Sequence, residues 1–271
     1  MTGVVPDVAN AGLVDVGGGQ ERPSTSERVA RVLLAFADGD RCLGVSEIAR
    51  RLQLSKAVVH RILQTLVGTG LVSFAAGDHT YRLGPAAHAL ARHADHHSEL
   101  RAAAVPVINR LALVTGETTI LSARNGYRRI YVHQVESDQP VRITISLGRS
   151  YPLTVGANGL AVLARLPDDD VEQALRVPLE KYTERTVTDP AAIRARLIAI
   201  RRQGWASSSG ERVPMSTSIA AAVLDAHGSP VGSLSVGFLT SRFSDQSFDE
   251  MAALVRDAGE EASQRFQQAD E

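Results

Sequence analysis

His60, Arg61 and Gln64 follow Lys56 by four, five and eight residues, the spacing that sets side chains on one face of a helix. Lysine and arginine reach phosphates or guanine edges, and glutamine can pair with adenine. Ser55 precedes them as a helix cap, and Ala57 and Val58 share the outward side. Arg82 follows in a short β-like run, where it can meet a phosphate. That set of groups suits recognition of double-stranded DNA. The same residues also describe a helical hairpin with a solvated basic face.

Other candidate chemistry is thinner. Serines are plentiful, but no G-x-S-x-G elbow, G-x-x-x-x-G-K-[ST] loop or H-E-x-x-H pair is present, so neither an enzyme nor a cofactor is expected. His88, His93, His96 and His97 lie in "HALARHADHH", and His93 and His97 are spaced to share a helix face. A metal-responsive regulator is the reading they would support. A solvated linker helix is the plainer one, and no metal ligand is assigned. Cys42, the only cysteine, excludes an internal disulfide and is expected to be a small buried residue.

These groups need elements to hold them. Val29, Val32, Leu33 and Phe36 form one helical stripe; Ile48, Ala49 and Leu52 a second; Val59, Ile62, Leu63 and Leu66 a third. Ser46 reads as the cap of the second helix, Gln53-Leu54 as the turn, and Gly68 and Gly70 as the end of the third. Leu71–Phe74 and Tyr81–Leu83 form a hairpin about Gly77-Asp78. The spacing describes a helix-turn-helix with a wing, whose second helix lies in a major groove.

Residues 1–24 carry no period and read as a tail, 25–84 as the winged unit, 85–100 as a linker helix and 101–271 as a second domain. In that domain strands are expected at 118–123, 129–135, 141–147, 219–224 and 231–236. Helices are expected at 159–166, 168–175, from Asp189-Pro190 to Gly204, and at 245–267. Helices and strands in mixed order read as α+β.

The overall net charge of −1 argues against a nucleic-acid binder, but the charge is unevenly spread. Residues 41–92 hold seven Lys/Arg against Glu47 and Asp78, a net of +5, so the remainder sums to −6. Phosphate binding needs only that local basic face. No signal peptide and no membrane-length apolar run is found, and a cytoplasmic protein is expected.

"SEIARRLQLSKAVVHRILQTLVGTGLV" (46–72), then "YRLG" (81–84), resembles the winged helix-turn-helix of IclR-type (isocitrate lyase regulator-like) transcription factors. "TGETTIL" (115–121), "VESDQPVRITISLGRSYPL" (135–153), "TVTDPAAIRARLIAIRRQGW" (186–205) and "IAAAVLDAHGSPVGSLSVG" (219–237) resemble that family's effector domain. The resemblance spans about residues 26–265. It implies a GAF-like effector-binding domain, a homodimer or dimer of dimers on a palindromic operator, and a small organic effector, often a carboxylic or aromatic metabolite.

It also implies an effector cavity lined by three segments: Thr154, Gly156, Ala157 and Asn158 before a short helix; Ser208 and Ser209; and Ser218 with Ser235 and Gly237 on the closing strands. Backbone N–H groups at a helix start suit a carboxylate. Leu160 stands where the family often has lysine, Ser218 where cysteine is frequent, and the 207–211 segment where many members are acidic. Those swaps remove formal charge. They point to a neutral or weakly polar ligand, or to a carboxylate held by N–H and hydroxyl groups. A plain polar loop at Ser207–Ser209 and a solvent-facing Ser235 are the alternatives. Trp205, the only tryptophan, is expected in the core.

Overall fold

The computed structural model describes residues 24–37, 42–93, 98–242 and 245–269. The chain forms two compact units that divide at about residue 97.

In the first unit, α1 (Thr25–Leu34), α2 (Val45–Leu52) and α3 (Lys56–Gly68) precede a hairpin of β1 (Val72–Ala75) and β2 (Thr80–Leu83), followed by α4 (Pro85–His93). Apolar positions at helical spacing converge on one core of Val32, Phe36, Leu43, Ile48, Leu52, Val59, Ile62, Leu63, Leu66, Val72 and Tyr81. Ser24 caps α1, accepting from the Glu27 N–H at 3.1 Å. Gln53 takes a left-handed conformation (φ 54°) that turns the chain sharply between α2 and α3. Ser55 caps α3 by accepting from the Val58 N–H at 3.3 Å. Antiparallel pairing runs from Val72↔Leu83 to Ala75↔Thr80, and Leu43 adds an isolated bridge to Tyr81.

Two expectations fail here. Ser46 does not cap α2: the helix starts one residue earlier, and Gly44 occupies the cap without a side-chain bond. Cys42 is exposed, not buried, because the bridge to Tyr81 commits its neighbour Leu43 to the core.

The second unit is a six-stranded antiparallel sheet in the order β5-β4-β3-β8-β7-β6. Its strands are β3 (Thr118–Asn125), β4 (Arg128–Val135), β5 (Ser150–Pro152), β6 (Ala206–Ser209), β7 (Ser216–Leu224) and β8 (Pro230–Leu239). Side chains alternate between its faces. Leu121, Ala123, Ile219, Ala221, Val223, Leu234 and Val236 pack on α5 (Ser98–Thr115) and α9 (Asp245–Ala269). Ala206 and Ala220 pack on α6 (Gly156–Leu163), α7 (Asp168–Arg176) and α8 (Pro190–Gln203). Asp189 caps α8 through the Ala191 and Ala192 N–H groups, Pro190 opens it and Gly204 (φ 84°) closes it. The arrangement is α+β with a sheet covered on both faces, consistent with a GAF-like domain.

The strand expected at 141–147 is absent. Ile143 and Ile145 do alternate inward, but side chains dock the segment rather than a ladder. Thr118 Oγ1 donates to the Ile143 carbonyl at 2.7 Å, and Gln134 bonds both the N–H and the carbonyl of Ile145 at 3.1 Å. Glu136 takes the Thr144 hydroxyl at 2.7 Å and Arg142 at 2.9 Å, and these bonds hold its pKa below the usual carboxylate value. The edge position falls to β5 instead. Ala206–Ser209, where no strand is expected and a plain polar loop at Ser207–Ser209 is the alternative to a cavity segment, is strand β6. Residues 85–93 form α4, 98–100 begin α5, and 94–97 lie outside the described residues, as does the tail before Ser24.

β3 and β8 come so close that a Cβ at Gly232 would lie 2.3 Å from the Ser122 carbonyl oxygen. Gly232→Ala is expected to cost about 1–3 kcal/mol through this overpacking, read as a lower urea midpoint with unchanged slope.

Candidate functional site

The first candidate surface is on α3. Ser55, Lys56, Ala57, His60, Arg61 and Gln64 are all exposed, and Arg82 is exposed on β2. Val58, expected outward with them, is half-buried and packs on the core, because it lies toward the Val59–Ile62 side of the helix. Ser55 Oγ accepts the Val58 N–H, so its role in the fold is the cap. Two further cations, Arg50 and Arg51, are exposed at the end of α2; Arg51 pairs with Glu47. Phe74, 45% exposed, sits on β1 against Tyr81.

The second candidate is a cavity in the other unit, where the start of α6 meets β3, β4, β7 and β8. Gly156, Ala157, Asn158, Ser208, Ser218 and Gly237 line it. The sheet brings these distant residues together: Ser208 pairs with Ser218 and Ser218 with Gly237 across β6, β7 and β8. Gly156 opens α6 at φ +72°, a conformation that disfavours a side chain. Thr154, Ser209 and Ser235 do not line the cavity. Thr154 is buried, Ser209 is exposed and bonded to Thr217, and Ser235 is fully buried.

Ser235 therefore does not face solvent. It accepts from Asn158 Nδ2 at 2.8 Å, on the sheet face toward α6. Ser233 Oγ meets the carbonyl and Oδ1 of Asn158 at 3.1 and 3.0 Å, and lies 2.7 Å from Ser122 Oγ. This buried network ties the cavity's helix to β3 and β8.

Leu160, at the position of a frequent family lysine, is wholly buried among α6, α7 and α8 and does not line the cavity. Its apolar side chain leaves the charge of the cavity unchanged. Seven lining residues escape the sequence reading, and the charged and aromatic ones among them are Arg129, Tyr131 and Arg212. Arg129 is 1% exposed and lies 5.5 Å from the ring centres of both Tyr131 and Tyr151. Arg212 lies 5.0 Å from the Tyr151 ring. For Arg129 and Tyr131 the alternation along β4 is the only available signal, and it does not tell a pocket from a core; Arg212 lies between β6 and β7 and has no such signal.

The segment after Ser207 is firmly held. Glu211 is buried and pairs with Arg196 at 2.8 Å, while the Thr183 and Thr186 hydroxyls donate to the Gly210 and Glu211 carbonyls at 2.6 Å. Tyr182, against Tyr151, is kept protonated by burial and by its bond to Glu180, which raise its pKa. The cavity as described encloses ≈ 30 Å³. Pockets that hold drug-sized ligands measure about 300–1,000 Å³, so this one must open to admit such a ligand. Trp205 packs on the α5/α9 core, edge-on to Phe248, away from the lining residues. No group of three or more metal-ligating side chains occurs among the described residues; His88 is exposed on α4, and 94–97 lie outside them.

Residues 25–75 match the family model described as the IclR helix-turn-helix domain, and 92–264 the one described as the bacterial transcriptional regulator IclR C-terminal. The chain belongs to the IclR family of bacterial transcriptional regulators. It is 34% identical over 232 residues to the HTH-type transcriptional regulator BhcR of Paracoccus denitrificans, covering 85% of this chain and 82% of that one. It is 30% identical over 259 residues to the Escherichia coli regulator KdgR, covering 94% and 96%. Its fold matches a solved putative IclR transcriptional regulator from Silicibacter with a TM-score of 0.72, at 30% identity and with 90% and 96% covered. It is thus a DNA-binding transcriptional regulator with a C-terminal effector domain. Among the described residues, no helix is long and apolar enough to cross a membrane.

Asn158→Ala would strip both Ser233 and Ser235 of a partner in a buried site. A loss of about 1–3 kcal/mol is expected, measured by chemical denaturation.

Proposed function

We propose that this IclR regulator reads a palindromic operator with the exposed face of α3, and that a small organic effector in the α6 cavity biases that binding. The single observation that carries the first half is the exposed row of Lys56, His60, Arg61 and Gln64 on a helix fixed by a packed core and a side-chain cap. Arg61 leads the base contacts, followed by Lys56 and Gln64, with Ala57 close to the bases and Arg82 of the wing on phosphate. Dimer symmetry would space the half-sites by one or more helical turns. A homodimer or dimer of dimers, working in the cytoplasm, fits that geometry.

For the effector, Gly156, Ala157 and Asn158 offer backbone N–H groups, and Ser208 and Ser218 offer hydroxyls. Ligands of carboxylic or aromatic type fit this lining. Thr154, Ser209 and Ser235 support it from behind or beside. Control of the operator requires that the effector favour one arrangement of the DNA-binding units over another, and the coupling is reciprocal. Residues 85–100 join the units in sequence and are the natural lever for that coupling.

Selection from a random double-stranded library at near-physiological salt should enrich an inverted repeat. Bulk, salt-sensitive binding without a repeat, with or without candidate effectors, would overturn the operator reading. On the selected site Arg61→Ala should cost about 1–3 kcal/mol and relax one position, whereas Arg82→Ala should weaken all sequences alike and flatten the salt slope by about 1. For the effector obtained with that site, calorimetry on Ser218→Leu should show lost affinity; unchanged affinity would remove the cavity from the proposal.

A further inference from the structure

We propose that Arg129 fits the effector cavity to an anion: a carboxylate or phosphate held between the Arg129 guanidinium and the first turn of α6. This rests on the cavity being the effector site.

A guanidinium carries a fixed charge, and a buried charge without a partner is strongly unfavourable. Arg129 is 1% exposed. Its Nη1 donates to the Pro152 and Val155 carbonyls at 2.7 and 3.0 Å, its Nη2 has the Tyr131 hydroxyl at 3.4 Å, and its Nε has no partner. Carbonyl dipoles and two tyrosine rings offset part of the charge. No carboxylate among the described residues completes it. Elsewhere in the same unit the buried acids Glu211 and Glu117 each take an arginine, Arg196 and Arg242. Arg129 is treated differently.

The helix beside it sharpens the point. A Cβ on Gly156 would lie 3.4 Å from Arg129 Nη2, and one on Gly159 would lie 2.8 Å from Nη1. The guanidinium is therefore seated against the N-terminal turn of α6, the positive end of the helix dipole. Two positive poles forced together are mutually repulsive. They face one cavity, which Arg212 also lines and which no Asp or Glu lines among the described residues. An anion entering there pairs with the guanidinium and with the free N–H groups of α6 at once. The neutral ligand suggested by Leu160 and Ser218 would leave the repulsion in place.

The test uses the full chain at constant ionic strength, with formate, acetate and inorganic phosphate as probes and formamide and acetamide as neutral counterparts. The expected result is a concentration-dependent rise in Tm with at least one anion and none with the amides. Carboxylates acting alone would assign the site to carboxylates, and phosphate acting alone to phosphate esters. The shift should vanish in Arg129→Met and in Ser218→Leu, and its midpoint should move at least tenfold in Arg129→Lys. If no anion shifts Tm, or an amide does so equally, the proposal falls. A shift lost in Ser218→Leu but kept in Arg129→Met keeps the cavity and rejects Arg129. A shift kept in both rejects the cavity as well. Should Arg129→Met fail to fold, the amide comparison and Arg129→Lys decide.

Discussion

The effector domain depends on the antiparallel pairing of β3 with β8 at the centre of its sheet. Both strands are buried on both faces, so each successive residue must satisfy a different environment. Leu121, Leu234 and Val236 meet α5 and α9, while Ile120, Ser122, Ser233, Ser235 and Gly237 meet the α6 side or the cavity. A one-residue slip would exchange these sets and place serines in an apolar core. Gly232, pressed against the Ser122 carbonyl, holds the two backbones at that register.

Function grows from that pair. Asn158 reaches from α6 to Ser233 and Ser235, so the helix that lines the cavity is bonded to the same strands that carry α5 on their other face. Thr119, next on β3, donates to the Ile108 carbonyl of α5 at 3.2 Å. A ligand that shifts α6 thus acts on a packed, hydrogen-bonded layer rather than on a loose loop, which is the kind of element that has discrete arrangements.

The DNA-reading unit solves a simpler problem. Its core is made by local stripes on three helices and closed by the wing, with Leu43 and Tyr81 bridging the two ends. Burial of Val59, Ile62, Leu63 and Leu66 orients α3 and thereby selects which of its polar residues face outward. The polar row is a consequence of the apolar one. Val58 shows the limit: one position between the two rows is drawn toward the core.

How much was legible follows from the range of the forces involved. Period, caps and turn residues are local, so α3 with its Ser55 cap, α8 between Asp189 and Gly204, and the β1–β2 hairpin could be read directly from the sequence. The residues of the two candidate sites were named from pattern and family likeness, and α3 presents most of the first group. The dock of 141–147, the strand at Ala206–Ser209 and the exposure of Cys42 were not legible, because each depends on a partner far along the chain. Arg129 is the clearest case. In sequence it is one more basic residue on a strand; only the sheet, Gly156 and Gly159 bury it under the start of α6. Local sequence determined which elements form and which way they face. Tertiary structure alone decided where a guanidinium is buried without a carboxylate among the described residues, because burial and ion pairing depend on what the folded chain brings alongside it.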